Sequence, residues 1–339
     1  MKTDDLLSWF YENQRAMPWR KTKDPYSIWV SEIMLQQTQV ATVIPYYERW
    51  MKKFPSVETL ANAEEQDALA LWQGLGYYSR CKNLLKGARW VKENGLPTHS
   101  SLWKLVPGIG PYTSAAIASI SQNEPIALVD GNVERVFARI NASSLIKPQI
   151  TKEAWVWAEK VLSKKHPGDW NQALMELGAT ICTPVNPICP FCPIKAECKA
   201  FKTDTVDKYP AKNIKPKIIK LKQVVYVPYY KKTYGIRQIT EGSWWKGMWE
   251  FPRTELEKAE QLTKFIGDGK KSDLGKMKHQ VTKHSIEIDV FLVECSKPNP
   301  KLSWVNEEEI TNYALPAPQK KIFQKATKQV RKLNEKINE

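Results

Sequence analysis

Cys182, Cys189, Cys192 and Cys198 fall within 17 residues, in the spacing C-x6-C-x2-C-x5-C. The same stretch holds Pro184, Pro187, Pro190 and Pro193, and prolines at this density leave little room for helix or sheet. Such a loop has no core of its own, so its shape depends on whatever draws the four thiols together. The first residues, Met1 to Ser8, are polar and acidic rather than those of a signal peptide. No apolar run approaches the roughly 20 residues that span a bilayer. An intracellular, reducing location is therefore expected, where clustered cysteines indicate metal rather than disulfides. Four thiolates bind one zinc ion, usually as two close pairs across a longer loop, or hold a [4Fe–4S] cluster. The spacing leaves both open. Cys81 and Cys295 stand apart and read as packed thiols.

The chain of 339 residues is long enough for two domains. Residues 1–201 read as all-α. Apolar residues recur at helical spacing over Asp4–Asn13 and Tyr26–Val43, and helices are also expected at Gln66–Leu75 and Lys82–Asn94. Residues 202–222 carry seven lysines against two aspartates and read as a basic linker. Residues 223–339 form a smaller α+β domain. Its strands are expected at Gln223–Tyr230, Gly235–Glu241 and Ser285–Val293, with a terminal helix over Gln319–Ile337. The net charge is +15: residues 1–200 contribute +4 (23 basic, 19 acidic) and the remainder +11 (28 basic, 17 acidic). That excess suits an anionic partner, most simply nucleic acid; on charge alone a merely basic soluble protein is an equal alternative.

Three motifs lie upstream of the cysteines. Leu105-Val106-Pro107-Gly108-Ile109-Gly110 joins a short helix, Ser101–Leu105, to an Ala-rich one, Tyr112–Ser121. Gly108 and Gly110 can bare backbone N–H groups to a phosphate, or the turn can be a plain helix connection. Asp130, in Val129-Asp130-Gly131-Asn132, precedes an amphipathic helix. By itself it is best read as an N-cap. The other reading is a carboxylate facing a developing positive charge. Glu32 sits among apolar neighbours, Trp29, Ile33 and Leu35. Either it faces solvent, or burial raises its pKa and suits it to general acid catalysis.

Met17-Pro18-Trp19-Arg20, the Glu32 segment, Gly74-Leu75-Gly76-Tyr77-Tyr78-Ser79-Arg80, the hairpin, Val129-Asp130-Gly131-Asn132 and the cysteine run occur in that order. Over residues 5–200 they closely resemble adenine DNA glycosylases of the helix-hairpin-helix superfamily. The resemblance implies a [4Fe–4S] cluster held by Cys182, Cys189, Cys192 and Cys198. It implies that Glu32 protonates the purine leaving group and that Asp130 stabilises an oxocarbenium-like sugar, either electrostatically or as a nucleophile through a covalent intermediate. Tyr112 and Asn132 support that centre, Arg20, Leu35 and Glu176 form the adenine pocket, and Gln37 and Tyr77 wedge into the duplex where the base is flipped. Relatives of the endonuclease III type carry a lysine at the place of Tyr112 for Schiff-base chemistry, so a monofunctional enzyme is implied. Thymine-mismatch glycosylases also carry tyrosine there. A thymine- or pyrimidine-directed enzyme and a non-catalytic iron–sulfur DNA-binding protein are the alternatives.

Gly242-Ser243-Trp244-Trp245-Lys246-Gly247-Met248-Trp249-Glu250-Phe251-Pro252 resembles the opening of the family's Nudix-like C-terminal domain, and reads equally as a core-forming tryptophan-rich hairpin. The next stretch, Thr254–Thr263, lacks the R-E-x-x-E-E pattern that binds magnesium in Nudix hydrolases. The domain is expected to bind 8-oxoguanine opposite the adenine, not to hydrolyse. Many members probe that base with Phe-Ser-His. Here the stretch is Val281-Thr282-Lys283-His284, with Thr282 matching the serine and either Lys283 or His284 the histidine. The implied partner is double-stranded DNA with A:8-oxoguanine or A:G mispairs. The protein is expected to be a cytoplasmic monomer of bacterial type, acting at the nucleoid without contact with membranes.

Overall fold

The computed structural model describes residues 3–211, 217–242 and 244–338. Residues 212–216 of the expected linker, and Ser243 of the tryptophan segment, lie outside the described residues. The chain divides into two compact units, Met1–Ala63 with Lys82–Ile214, and Glu64–Cys81 with Lys215–Glu339.

The first unit is helical. It opens with α1 (Thr3–Asn13), α2 (Pro25–Leu35), α3 (Val40–Lys53) and α4 (Val57–Ala61). The chain passes into the second unit for α5 (Glu65–Trp72) and returns within α6 (Ser79–Asn94). There follow α7 (Ser100–Trp103), α8 (Pro111–Gln122), α9 (Gly131–Asn141), α10 (Gln149–Val161), α11 (Pro167–Thr180) and the short α12 (Lys199–Lys202). Every residue of α2 from Tyr26 to Met34 is buried, as expected for a helix apolar on all sides. Asp24 caps it, its carboxylate accepting from the Ser27 N–H and hydroxyl at 2.8 and 2.6 Å. The indole of its Trp29 meets Trp103 at 5.7 Å, and buried Trp50 donates its Nε1–H to the Tyr26 hydroxyl at 3.3 Å.

The single helix expected over Tyr26–Val43 is two. Gln36 leaves helical geometry (ψ 113°), and Gln37 adopts a left-handed backbone at φ 57°. Gln36-Gln37-Thr38-Gln39 has no apolar residue to carry the buried stripe onward, so the helix ends where its packing ends. Close packing also sets α9 against α11. A Cβ on Gly178 would lie 2.5 Å from the Asn132 Cβ.

The second unit is built on a seven-stranded mixed sheet. Its elements are β1 (Ile219–Tyr230), β2 (Thr233–Gln238), β3 (Trp249–Glu250), β4 (Arg253–Glu255), α13 (Ala259–Ile266), β5 (Gly269–Val281), β6 (His284–Cys295), β7 (Ser303–Val305) and α14 (Ala317–Asn338). The order is β3-β2-β1-β6-β5, with β4 on β1 and β7 on β2. β1 and β6 run parallel from Ile219↔His284 to Tyr229↔Glu294. Both faces of β1 are covered. Val225 and Val227 pack in a core with Ile322, Ala326 and Val330 of α14, and Val224 and Tyr226 in one with Leu262 and Ile266 of α13.

Three features differ from expectation. Strand structure begins at Ile219, inside the stretch read as linker. β5 was not anticipated, because Gly269–Lys278 is lysine-rich and lacks β-branched residues; its pairing with β6 makes it a strand. Glu64–Cys81, read as part of the helical domain, groups with the sheet, where Gln66 and Gln73 donate to the carbonyls of Gly247 and Leu315, both at 3.1 Å.

Gly178→Ala should destabilise the first unit by about 1–3 kcal/mol through overpacking of α9 on α11. Urea unfolding followed by tryptophan fluorescence measures this.

Candidate active site and cysteine cluster

A cleft of about 720 Å³ opens in the first unit. Its walls carry Glu32 from α2, Gln37 from the break after it, Tyr112 from α8, Asp130 and Asn132 from the start of α9, and Glu176 from α11. Arg20 and Leu35 also line it. Eight residues singled out from separate motifs thus share one cavity. Tyr77 does not. It lies on the turn after α5, half-exposed with φ 47°, beneath the Arg80 guanidinium 5.4 Å from its ring centre.

Glu32 is the one charged residue of α2 and is buried. Desolvation pushes its pKa up to about 7, with Asp130 adding to the rise; the Tyr112 hydrogen bond and Arg20 oppose it. The Tyr112 hydroxyl donates to Glu32 Oε2 at 2.7 Å. Burial, together with the charges of Glu32 and Asp130, holds that hydroxyl well above the ordinary tyrosine value, so it stays a donor.

Asp130 is the N-cap of α9. Its Oδ1 accepts from the backbone N–H of Asn132 (2.9 Å) and Val133 (2.8 Å), and its Oδ2 from Asn132 Nδ2 (2.8 Å). Burial raises its pKa, while these bonds and Arg135 pull the other way. The N-cap reading and the reading as an active carboxylate therefore describe the same geometry. A chain of contacts continues outward. Arg135 Nη2 donates to Asn132 Oδ1 at 2.8 Å, and Arg135 Nε to the Cys182 carbonyl at 2.7 Å.

Glu176 is equally buried but differently dressed. Arg15 reaches it through Nε (2.7 Å), Nη2 (3.0 Å) and its backbone N–H (3.1 Å), and Arg20 through Nη2 (2.9 Å). Burial alone would raise its pKa; the two arginines outweigh that and hold it below the ordinary glutamate value. The cleft thus holds one glutamate suited to carry a proton near neutrality and another that stays anionic, the pairing that separates acid from anchor.

The hairpin joins α7 to α8. Gly108 has φ 84°, and a Cβ there would meet Asn83 Cβ at 2.5 Å; Gly110 is the N-cap of α8. In the second unit, Thr282 and Lys283 form the exposed two-residue turn between β5 and β6. Thr282 is left-handed at φ 50°, and Val281 pairs with His284. His284 is half-buried, 4.9 Å from the Trp244 ring, and not at the turn's tip.

The cysteine loop follows α11. Cys182, Cys189, Cys192 and Cys198 line one small void with Val136, Ile140, Leu177 and Ile194. Among the described residues no three His, Cys, Asp or Glu side chains converge on a single ion position. Burial pushes Cys192 up to about 12 and raises Cys189 and Cys198, so a bound cation, not ionisation alone, would supply thiolates. Buried Arg139 donates to Cys182 Sγ at 3.3 Å and to the carbonyls of Thr183 (2.8 Å) and Tyr209 (3.0 Å). These residues fit an iron–sulfur cluster.

An adenine DNA glycosylase of Buchnera aphidicola subsp. Schizaphis graminum is 34% identical over 335 residues, covering 94% of this chain and 96% of that protein. The chain belongs to the adenine DNA glycosylase family. Residues 30–160 match the HhH-GPD superfamily of base excision DNA repair proteins, and residues 223–325 match the NUDIX domain. The Mus musculus adenine DNA glycosylase is 45% identical over 212 residues. That alignment covers 58% of this chain and 41% of the mouse protein, so the match spans about two-fifths of the mammalian relative. The helical unit shares its fold with a thermostable thymine-DNA glycosylase: 26% identity and a TM-score of 0.54, over 59% of this chain and 95% of that one. Members of this family usually carry an iron–sulfur cluster. Among the described residues no helix is long and apolar enough to cross a membrane.

Sequence reasoning missed Arg15, Arg135 and Arg139. Each is an isolated basic residue whose partner lies 43 or more positions away, at Glu176, Cys182 or Thr183. Only spacing on α9, Arg135 and Arg139 at i and i+4, hinted at a shared face.

Glu32→Gln should stabilise the protein in a pH-dependent way. The folded pKa lies above the unfolded value, so ionising Glu32 destabilises the fold. The penalty grows from about pH 4.5 and levels off above about 7, at roughly 3 kcal/mol. A series of thermal melts should show the variant's advantage growing from pH 5 to pH 8; a pH-independent difference would contradict it.

Proposed function

We propose that this chain is a monofunctional DNA glycosylase that hydrolyses the N-glycosidic bond of adenine mispaired with 8-oxoguanine or guanine, leaving an abasic site. The observation that carries the reading is the pair of carboxylates facing one cleft, buried Glu32 raised to about 7 and half-buried Asp130 clasped by three N–H donors. The family membership supports the choice of adenine over thymine.

The cleft takes the adenine flipped from the duplex, which pays its unstacking cost through contacts to the bound base. Glu32, protonated below about pH 7, gives its proton to the departing purine. Tyr112 holds its Oε2 in place. As the bond breaks, the sugar becomes cationic, the Asp130 carboxylate stabilises it electrostatically, and a water molecule adds to C1′ with loss of a proton to give the abasic site. The Asn132 amide keeps Asp130 aimed and ionised. Tyr112 has no amine, so no Schiff base forms and the strand is left intact. Glu176, fixed by Arg15 and Arg20, accepts from the exocyclic amine of adenine. Leu35 packs on the base, and Gln37 fills the space it leaves. Gly108 and Gly110 offer backbone N–H groups to a phosphate. Cys182, Cys189, Cys192 and Cys198 would hold a [4Fe–4S] cluster, which organises their loop. The Nudix-like unit reads the opposite base through the turn of Thr282 and Lys283, with His284 behind them. We take the protein to act as a cytoplasmic monomer on double-stranded DNA.

Three duplexes test the assignment, with A opposite 8-oxoguanine, A opposite G, and T opposite G. Alkali-revealed cleavage is expected in the first two; cleavage of the third alone would overturn it. Asp130→Asn should lower single-turnover excision by about 10³-fold or more while mismatch binding survives. The excision rate should fall as pH rises through about 7, where Glu32 loses its proton. Purified protein should be brown and carry iron; a colourless zinc form would end the cluster reading.

A further inference from the structure

Trp244 and Trp245 are half-buried, Trp244 packing on the rim of the core that holds Ile286 and Ile288, whereas Met248 and Phe251 of the same segment are fully buried. Trp245 has a left-handed backbone at φ 61°, which a bulky side chain adopts only where its surroundings hold it there. Those surroundings are specific. The Arg253 guanidinium lies 5.1 Å from the Trp245 ring centre, and Arg253 is itself anchored at 2.5 Å by buried Glu250. Trp245 in turn meets His279 at 5.8 Å, and Trp244 meets His284 at 4.9 Å, edge on. The two indoles also contact each other at 6.2 Å.

His279 and His284 lie on opposite arms of the β5–β6 hairpin. In the pairing register His279 faces Ile286 and Val281 faces His284, so both histidines share the face that Ile286 and Ile288 bury. The two indoles therefore grip both arms, within three residues of the turn. β5 is an edge strand whose last residue, Val281, pairs with His284 and packs against the core. On the other side, Ile219 at the start of β1 donates its N–H to the Lys283 carbonyl at 2.9 Å.

We propose that Trp244 and Trp245 are positioning residues that clamp the β5–β6 hairpin and thereby fix Thr282 and Lys283 for reading the base opposite the excised adenine. This rests on the assignment of opposite-base reading to the Nudix-like unit. The clamp chain runs from Glu250 through Arg253 to Trp245 and His279, with Trp244 on His284. None of these residues need touch DNA for the turn to depend on them.

Trp244→Leu and Trp245→Leu in the full chain test this. Leucine keeps the Cβ, so any backbone strain at position 245 is unchanged and only the ring contacts go. Single-turnover excision should lose about tenfold of its preference for A:8-oxoguanine over A:G, the size of one lost aromatic contact. The A:G rate should stay within about twofold, and Trp245→Phe should restore the preference. An unchanged ratio in both leucine variants, or an equal loss on both duplexes that phenylalanine does not rescue, would overturn the proposal. Amide hydrogen exchange without DNA judges the clamp independently of base reading. The Ile219 N–H should exchange faster in both leucine variants, and unchanged protection would sink the clamp itself. If the wild-type protein shows no preference while the exchange effect appears, the clamp stands and its assigned purpose falls.

Discussion

The burial of a single carboxyl, Glu32, in the middle of an otherwise apolar helix governs the rest of the first unit. Water cannot solvate it, so its neighbours must. Tyr112 comes from the helix after the glycine hairpin, and the helix that begins at Asp130 closes the opposite wall. A helix apolar on every side belongs at the centre of a bundle. α2 therefore lies where α8, α9 and α11 can all contribute to one cleft. The cost of that burial is also its use, since a desolvated carboxyl keeps its proton near neutrality.

The two other acids of the cleft show how environment sorts residues of one chemical type. Glu176 is as little exposed as Glu32, yet two guanidinium groups hold it ionised. Asp130 sits between them, raised by burial and resisted by the N–H groups of its own helix. Its cap geometry ties the site to α9, and Arg135 ties α9 to the backbone of Cys182. The cysteine loop is thus joined to the cleft by hydrogen bonds, though its thiols lie outside the cavity. Gly178 permits the close approach of α9 and α11 on which this link depends.

The second unit follows a different logic. Its central strands are covered on both faces, which explains the unbroken Val-Val-Tyr-Val run of β1. Toward the far end of the β5–β6 hairpin, aromatic–histidine contacts join the aliphatic packing of Val281 and Ile286. The turn of Thr282 and Lys283 projects from that end.

The sequence alone determined much of this protein. Helix and strand periods, the order of six motifs and the tight cysteine spacing were enough to identify the family, the two-part architecture and the residues that line the cleft. These signals are local, and local spacing survives in the linear chain. Only the tertiary structure decided whether Glu32 was buried or solvated, because an apolar helix looks the same with its one acid facing in or out. It alone split the helix at Gln36–Gln39, made a strand of the lysine-rich β5, grouped Glu64–Cys81 with the sheet and paired Arg15 with Glu176. The Arg15–Glu176 pair and the contacts of Glu64–Cys81 depend on partners more than 150 residues away, and β5 on its neighbour β6; burial, charge pairing and strand pairing are properties of a partner's position rather than of the residues read one after another.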